Sequence, residues 1–337
     1  MKKYILYILT FLFCLNFGFS QSLPENKRKL NSTIHVSKYA LLLDKNTKEK
    51  IKPILSPKTG MPEIKVYTKA TMYYTMYLES PKENKDYQSL LKSYELSPSY
   101  SEMYFELAKY YELTGDKSMK KKFCKKMKKT ILTPDLNEYA YNTLMSVEKN
   151  GILVTYGEKD TYPIWILQTL KGIRKDVKIL NYDLLVNNEY RNKITKEFGL
   201  IFKSEYDSNI KILHDIALNN KEKPIYYSLT VSHLFLKQFK NQLYTTGLAL
   251  KFSTSKINNA DIIKTNWEKK FKKKYVIQPQ NASNKINANY ILPLFQLAKY
   301  YKANRIKEEL EEVKGILLIL GKNIGKEEKI KTLINKI

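Results

Sequence analysis

The residues whose types and spacing could do chemistry stand together at Gly157-Glu158-Lys159-Asp160-Thr161, between an apolar run, Ile152 to Tyr156, and a helical one carrying Ile164, Trp165, Ile166 and Leu167. A loop leaving the carboxyl end of a strand and entering a helix is where open α/β sheets hold ligands, because free backbone amides point into it. Gly157 would let a ligand approach the backbone, Asp160 and Thr161 would offer polar contacts, and Lys159 would favour an anion. The candidate is an anion or sugar site, with Gly157, Lys159, Asp160, Thr161, Tyr162 and Trp165 as its binding residues. The same residues also read as a helix cap and a tight turn, in which Asp160 or Thr161 caps the free amides ahead of Pro163 at the first helical position. Glu158 and Asp160 are two carboxylates close in sequence. Glycoside hydrolysis needs a distinguishable acid and base, and nothing beside them marks either, so no catalytic residue is assigned.

Other chemistry finds less footing. His35, His214 and His233 have no metal-ligand spacing, and no serine sits in a nucleophile elbow. Cys124 has no histidine near it in sequence and lies in a helical pattern, where it reads as a small buried hydrophobe. No Gly-x-Gly-x-x-Gly follows the first strand, so no dinucleotide, and no other cofactor or metal, is implied.

The elements that must position the loop form one βαβ unit across Asn150 to Leu185: a strand at Ile152 to Tyr156, a helix closed by Gly172, and a second strand at Val177 to Asn181. The α/β pattern continues with helices at Asn188 to Phe198, Asp207 to Asn219 and Leu234 to Leu243, and with strands at Pro224 to Leu229 and Leu248 to Phe252. Four strands with interleaved helices predict a small Rossmann-like layer, largely parallel. On either side the pattern is helical. From Ser101, Tyr104, Leu107, Ala108 and Tyr111 fall on tetratricopeptide positions, with Gly115-Asp116 as the turn and Pro134 closing the unit; Tyr73 and Tyr77 repeat Leu107 and Tyr111 34 residues upstream. Lys120 stands where that repeat usually packs an alanine. Phe295 to Tyr301 nearly repeats Phe105 to Tyr111. The fold class is therefore α/β plus α: a Rossmann-like layer at 150–253 flanked by tetratricopeptide-like helices at 65–149 and a helical hairpin at 286–337, with a polar lead holding one short helix at 21–64 and a mobile, lysine-rich connection at 254–285 around a short helix near Trp267. Leu107 and Leu297 are expected in buried helix seams.

Met1-Lys2-Lys3, the apolar stretch Ile5 to Phe19 and the small residues before Gln21 make a secretory signal over 1–20. The apolar core is shorter than the roughly 20 residues a membrane span needs, and no later segment reaches that length, so the mature chain is expected to be exported, to periplasm or outside, without a transmembrane segment. Cys14 leaves with the signal and Cys124 remains alone, which excludes an internal disulfide. The net charge is +26, yet only Arg28, Arg174, Arg191 and Arg305 of the 59 basic residues are arginine. Base-edge and bidentate phosphate recognition favour arginine, so no specific nucleic-acid partner is read.

The stretch TYGEKDTYPIWILQTLKGIRKDVKILNYDLL resembles a segment in the soluble carboxyl-terminal part of protein O-mannosyltransferase-like membrane proteins of Bacteroidota, the DUF2723 class. KPIYYSLTVS and Gly247-Leu248-Ala249 are similar to further parts of that region. Glu158 and Lys159 replace the family's Asp and Asn, Lys171 replaces its Glu, and Tyr182-Asp183 replaces its x-Ser. The multi-span part that would carry glycosyl transfer has no counterpart here, so the resemblance transfers no catalytic residue. It implies an exported accessory module that looks like the soluble domain of such transferases. The signal, the repeats and the lack of a catalytic pattern lead to the expectation of a non-catalytic cell-envelope protein that binds a protein or glycan partner. The alternative is an enzyme acting on a glycan or phosphorylated substrate at Gly157 to Thr161.

Overall fold

The computed structural model describes residues 69–337 apart from 83, 204, 205, 207, 208, 232 and 279–284. The expected secretory signal, the expected polar lead and His35 lie outside the described residues. Five helices come first: α1 (Lys69–Glu79), α2 (Tyr87–Leu96), α3 (Tyr104–Thr114), α4 (Lys117–Thr130) and α5 (Pro134–Met145). They pack as hairpins, α1 on α2 and α3 on α4. Asp86 and Asp116 cap the second helix of each pair by accepting from Ser89 N and Met119 N, while Gly115, at φ 80°, makes the turn between α3 and α4. Pro134 opens α5 at a position where its missing N–H is not needed.

The α/β part follows as β1 (Ile152–Thr155), α6 (Glu158–Lys171), β2 (Lys178–Asn181), α7 (Asn188–Phe198), α8 (Asn209–Asn219), β3 (Ile225–Ser228), α9 (His233–Gln238), β4 (Leu243–Thr245) and β5 (Ala249–Phe252). The strand order is β2-β1-β3-β5-β4. β1 pairs in parallel with β2 and β3, placing Thr155 opposite Asn181, whereas β5 runs antiparallel to both β3 and β4. The sheet is therefore mixed and five-stranded, not four-stranded and largely parallel. The helix expected to reach Leu243 stops at Gln238, and Leu243 to Thr245 pair as a strand instead. Only Thr246 to Leu248 join β4 to β5, too short a link for a parallel crossover, so this pair has to be a hairpin. Gly247 turns it at φ 132°; a Cβ there would stand 2.5 Å from Ser146 Oγ and 2.7 Å from Phe271 Cζ.

Strand alternation divides the core. Ile152, Val154, Ile225, Tyr227 and Leu250 face α7 to α9 and the carboxyl-terminal helices. Leu153, Ile179, Tyr226 and Ala249 face α3 to α6. Both faces are covered.

The remaining elements are α10 (Asn259–Thr265), a π turn at Asn266–Lys270, α11 (Lys274–Ile277), a 3₁₀ turn at Lys285–Tyr290, α12 (Ile291–Ala303), α13 (Lys307–Asn323) and α14 (Glu327–Ile334). The lysine-rich segment is thus packed where it is described: Trp267 and Val276 are buried in the core, and Asn266 Nδ2 donates to Thr246 O at 2.6 Å. Its lysines point outward while its apolar residues anchor, a split that composition alone does not show. Three helices close the chain rather than two; Gly321 leaves room for Ile330 of α14, 2.7 Å from where a Cβ would stand. Leu107 and Leu297 are both fully buried, as their spacing predicts.

Candidate functional site at the carboxyl edge of the sheet

Thr155, Asn181 and Ser228 are the last residues of three neighbouring parallel strands, so their side chains meet at one edge. Gly157, at φ 78°, ends β1 and serves as the N-cap of α6. The helix therefore starts at Glu158, more than a turn before Pro163, which lies inside it. Asp160 and Thr161 do not cap it. Asp160 instead turns back to the strand, and its Oδ2 accepts from Tyr156 N at 3.0 Å and from the Thr230 hydroxyl at 2.9 Å. Ser228 and Thr230 hydroxyls lie 2.7 Å apart behind that contact. Thr161 donates to Thr155 Oγ1 at 3.0 Å and accepts from Asn181 Nδ2 at 3.1 Å, and the Thr155 hydroxyl donates to Leu180 O at 3.4 Å.

All but one of the side-chain polar atoms of this knot have partners. Asp160 is only 2% exposed, and its Oδ1 is buried with no hydrogen-bond partner among the described residues. Burial pushes its pKa up to about 6, against the nearby Ser228 hydroxyl and the Tyr156 N–H and Thr230 hydroxyl that bind it, all of which favour the charged form. The position is the crevice between β1 and β3, where connections leave to opposite sides of the sheet: α6 leads from β1 to β2, and β3 pairs on the other edge of β1.

A second, charged cluster gathers from elements far apart in sequence. Glu158 opens α6, Asp183 follows β2, and Glu106 and Lys109 come from α3. Glu106 accepts from the Tyr77 hydroxyl and pairs with Lys109 at 2.8 Å. Desolvation, followed by the charge of Glu106, raises the Glu158 carboxyl above the usual range. Desolvation also raises Asp183; Lys109 opposes this and Glu106 adds to it. Lys109 stays above the ordinary lysine value although desolvation lowers it, because Glu106 and Asp183 hold its proton. Tyr156 and Tyr182 meet edge to face at 5.0 Å, and Tyr77, Tyr87 and Tyr110 form a chain of rings 5.8 and 4.8 Å apart. Tyr87 and Tyr110 line an open depression of about 490 Å³ together with Asn84, Lys85, Asp86 and Gln88.

The sequence-derived residues are therefore split. Gly157, Asp160 and Thr161 come together at the strand edge, and Lys159 is exposed beside them. Tyr162 and Trp165 lie on the core side of α6. The Tyr162 hydroxyl donates to Ile131 O, and Trp165 is 1% exposed between Phe105 and the Lys120 ammonium, 4.2 Å above its ring. That contact accounts for lysine at the repeat's usual alanine position. Glu106, Lys109, Asp183, Ser228 and Thr230 were not singled out as site residues. Only Ser228 and Thr230 carried a local signal, two hydroxyls two residues apart at a strand end. Among the described residues no three carboxylate, histidine or cysteine side chains are placed to hold a metal ion.

Residues 136–199 match the family model TMEM260-associated domain 2. The match runs from α5 through α7 and includes Gly157, Asp160, Thr161, Asn181 and Asp183. Glu106, Lys109, Ser228 and Thr230 lie outside it. No curated protein and no solved structure matches the chain. Among the described residues no helix is long and apolar enough to cross a membrane.

Proposed function

We propose that this chain is an exported accessory protein of the cell envelope that binds a glycan or protein partner at the carboxyl edge of its sheet and performs no catalytic step. The observation that carries this reading is Asp160 Oδ1, an acceptor buried without a donor in the crevice between β1 and β3. Such an atom costs free energy unless something supplies a hydrogen bond, and a sugar hydroxyl or a peptide N–H is the neutral donor that would. An unpartnered acceptor favours those donors over a phosphate, and Tyr156, whose N–H binds Asp160, meets Tyr182 edge to face and suits the apolar face of a sugar. The match to TMEM260-associated domain 2 and the resemblance to the O-mannosyltransferase-like proteins of Bacteroidota support a role beside glycosylated partners. In this reading α1 to α4 are tetratricopeptide-like hairpins, supported by the 34-residue spacing. β2-β1-β3 is a Rossmann-like half, supported by the crossover through α6.

The test is calorimetric titration with a mannosylated peptide and with neutral oligosaccharides. Binding that weakens at least tenfold in Asp160→Ala, with a cooperative melt retained, is expected; about 1.4 kcal/mol separates each factor of ten. Equal binding by Asp160→Ala and wild type would remove the site. A second reading, an enzyme acting on a glycan, has one favouring observation: the carboxyls of Glu158 and Asp183 are both raised, each within the field of Glu106 and Lys109, as a general acid requires. Turnover of a glycan lost in Glu158→Gln would establish it in place of the first.

A further inference from the structure

The net charge of +26 is not spread evenly, and α4 shows where part of it gathers. Its sequence, KSMKKKFCKKMKKT, holds no acidic residue. Phe123, Cys124 and Met127 face the core. At 100° per residue the opposite arc carries Lys121, Lys122, Lys125, Lys126, Lys128 and Lys129. The ion pair that α4 makes among the described residues is Lys120 to Glu112, on the inner side of that arc. The basic surface continues past α4. Lys171 at the end of α6 stands close enough to Lys128 and Lys272 that their charges add to desolvation in lowering its pKa. The same segment as Lys272 supplies the exposed Lys269, Lys270 and Lys274. Three separate parts of the chain thus bring ammonium groups to one face, at a mutual repulsion that a bound anionic partner would relieve.

We propose that this face, α4 with the end of α6 and the lysine-rich segment, docks the protein on the surface of an anionic phospholipid bilayer. Its shape and chemistry favour a membrane over a polyanionic chain. The lysines lie on the outer arc of a helix about 20 Å long, a convex surface rather than a groove. The tyrosine rings among them are already capped: Lys122 and Lys126 stand 5.9 and 5.7 Å over Tyr94, Lys126 4.9 Å over Tyr104, and Lys272 4.4 Å over Tyr141. Those faces are closed to sugar stacking, while the Lys and Tyr pairing suits the polar headgroup layer. Leu96, 45% exposed, ends the helix that Tyr94 ties to Phe123 of α4. Lysine without arginine also fits a surface of mobile headgroups, which calls for point charges rather than bidentate geometry. The partner is independent of the ligand at Asp160, on another face of α6.

Co-sedimentation of the exported full chain with vesicles tests this. Vesicles of phosphatidylglycerol in phosphatidylcholine are expected to bind it, phosphatidylcholine alone is not, and about 0.5 M salt should release it by screening. Replacing Lys121, Lys125, Lys128 and Lys129 with Gln should weaken binding roughly fivefold for each lysine lost and at least about a hundredfold together. The same number of Gln substitutions at the exposed Lys302, Lys307, Lys322 and Lys329 should change it less than about threefold. Equal loss in both sets would mean that net charge alone acts, and would overturn the assignment. Indifference to phosphatidylglycerol would do the same, as would binding to a soluble acidic polysaccharide in preference to the vesicles. A cooperative melt for each variant separates these outcomes from unfolding.

Discussion

Asp160 is a carboxyl group held where charge is costly, and its titration should be visible in stability. Its pKa rises from 3.8 to about 6 on folding, mainly through burial. Between those values the folded state binds more protons than the unfolded chain, so stability falls as pH rises from about 4 to 6 and levels off above. Two pKa units correspond to about 3 kcal/mol as an upper bound. Asp160→Asn removes the titration, so the variant should gain on the wild type across that interval, by about 2 kcal/mol at pH 7. Urea denaturation of both proteins at several pH values measures it; parallel stability curves would show that Oδ1 carries no such penalty. The hydroxyls of Thr230 and Ser228 are why the carboxylate is tolerated at all, since they and the Tyr156 N–H favour the ionised form.

The elements are joined at one point by Arg174. It sits at φ 48°, just past the glycine that closes α6, and its guanidinium reaches back to the end of α5. Nη1 donates to Leu144 O and Val147 O at 2.8 and 2.9 Å, and Nη2 donates to Glu148 O at 3.0 Å. Leu144 O and Glu148 O also accept the backbone N–H of Val147 and of Gly151, so the guanidinium supplies a further donor there and fastens the turn that follows α5. Asp176 holds the fork in place through Nε and Nη2, and Arg174 keeps its pKa down at about 2. Here the sign is the opposite of that at Asp160. The pair's stabilisation is present above pH 3.8 and is lost as pH falls toward 2. A lysine cannot reproduce five donors in a fork, so Arg174→Lys should lower stability by about 2 kcal/mol and leave Asp176 titrating closer to its ordinary value. Denaturation midpoints, with the Asp176 carboxyl followed by NMR, decide this; a wild-type midpoint would show that the guanidinium is dispensable.

For the whole molecule, the sheet requires cover on both faces. Leu153, Ile179 and Tyr226 are buried against α3 to α6, and Leu107 is fully buried in the same cluster. A fragment beginning at Asn150 would expose that face along with Trp165 and Ile164, so it should not melt cooperatively at the temperature of the full chain. Leu107→Asp places a charge in the seam at a cost of about 3–5 kcal/mol and should lower the melting temperature of the α/β part together with that of the helices. Calorimetry of the variant beside the fragment tests both. Independent melting of the fragment at the full-length temperature would mean that α1 to α5 are an appendage.

What the sequence determined by itself was local and periodic. Apolar runs bounded by Gly157 and Gly172 placed β1, the end of α6 and β2 within a residue or two, a helical period placed α7, and the spacing of Leu107, Ala108 and Leu297 marked buried seams, because a helix or strand period needs only neighbouring side chains to be legible. The start of α6 was misplaced because Pro163 looked like a first-turn residue, whereas the contact that sets the start joins Asp160 to Tyr156 and to Thr230, 70 residues away. Strand direction at β5 turned on β4, a three-residue strand that begins at the last residue of the expected helix and leaves only a three-residue link. The site was legible only on one side. Gly157, Asp160 and Thr161 share a stretch of chain, but Ser228 and Thr230 reach Asp160 from the end of β3, and Glu106, Lys109 and Asp183 gather near Glu158 from two further elements; no sequence spacing records a proximity that exists only after the sheet has paired and the helices have packed. The same holds for the lysine face. The count of lysines is in the composition, but their gathering on one surface belongs to the packing of α4, α6 and the segment around Trp267, which turns the apolar residues of each inward and leaves the charges together outside.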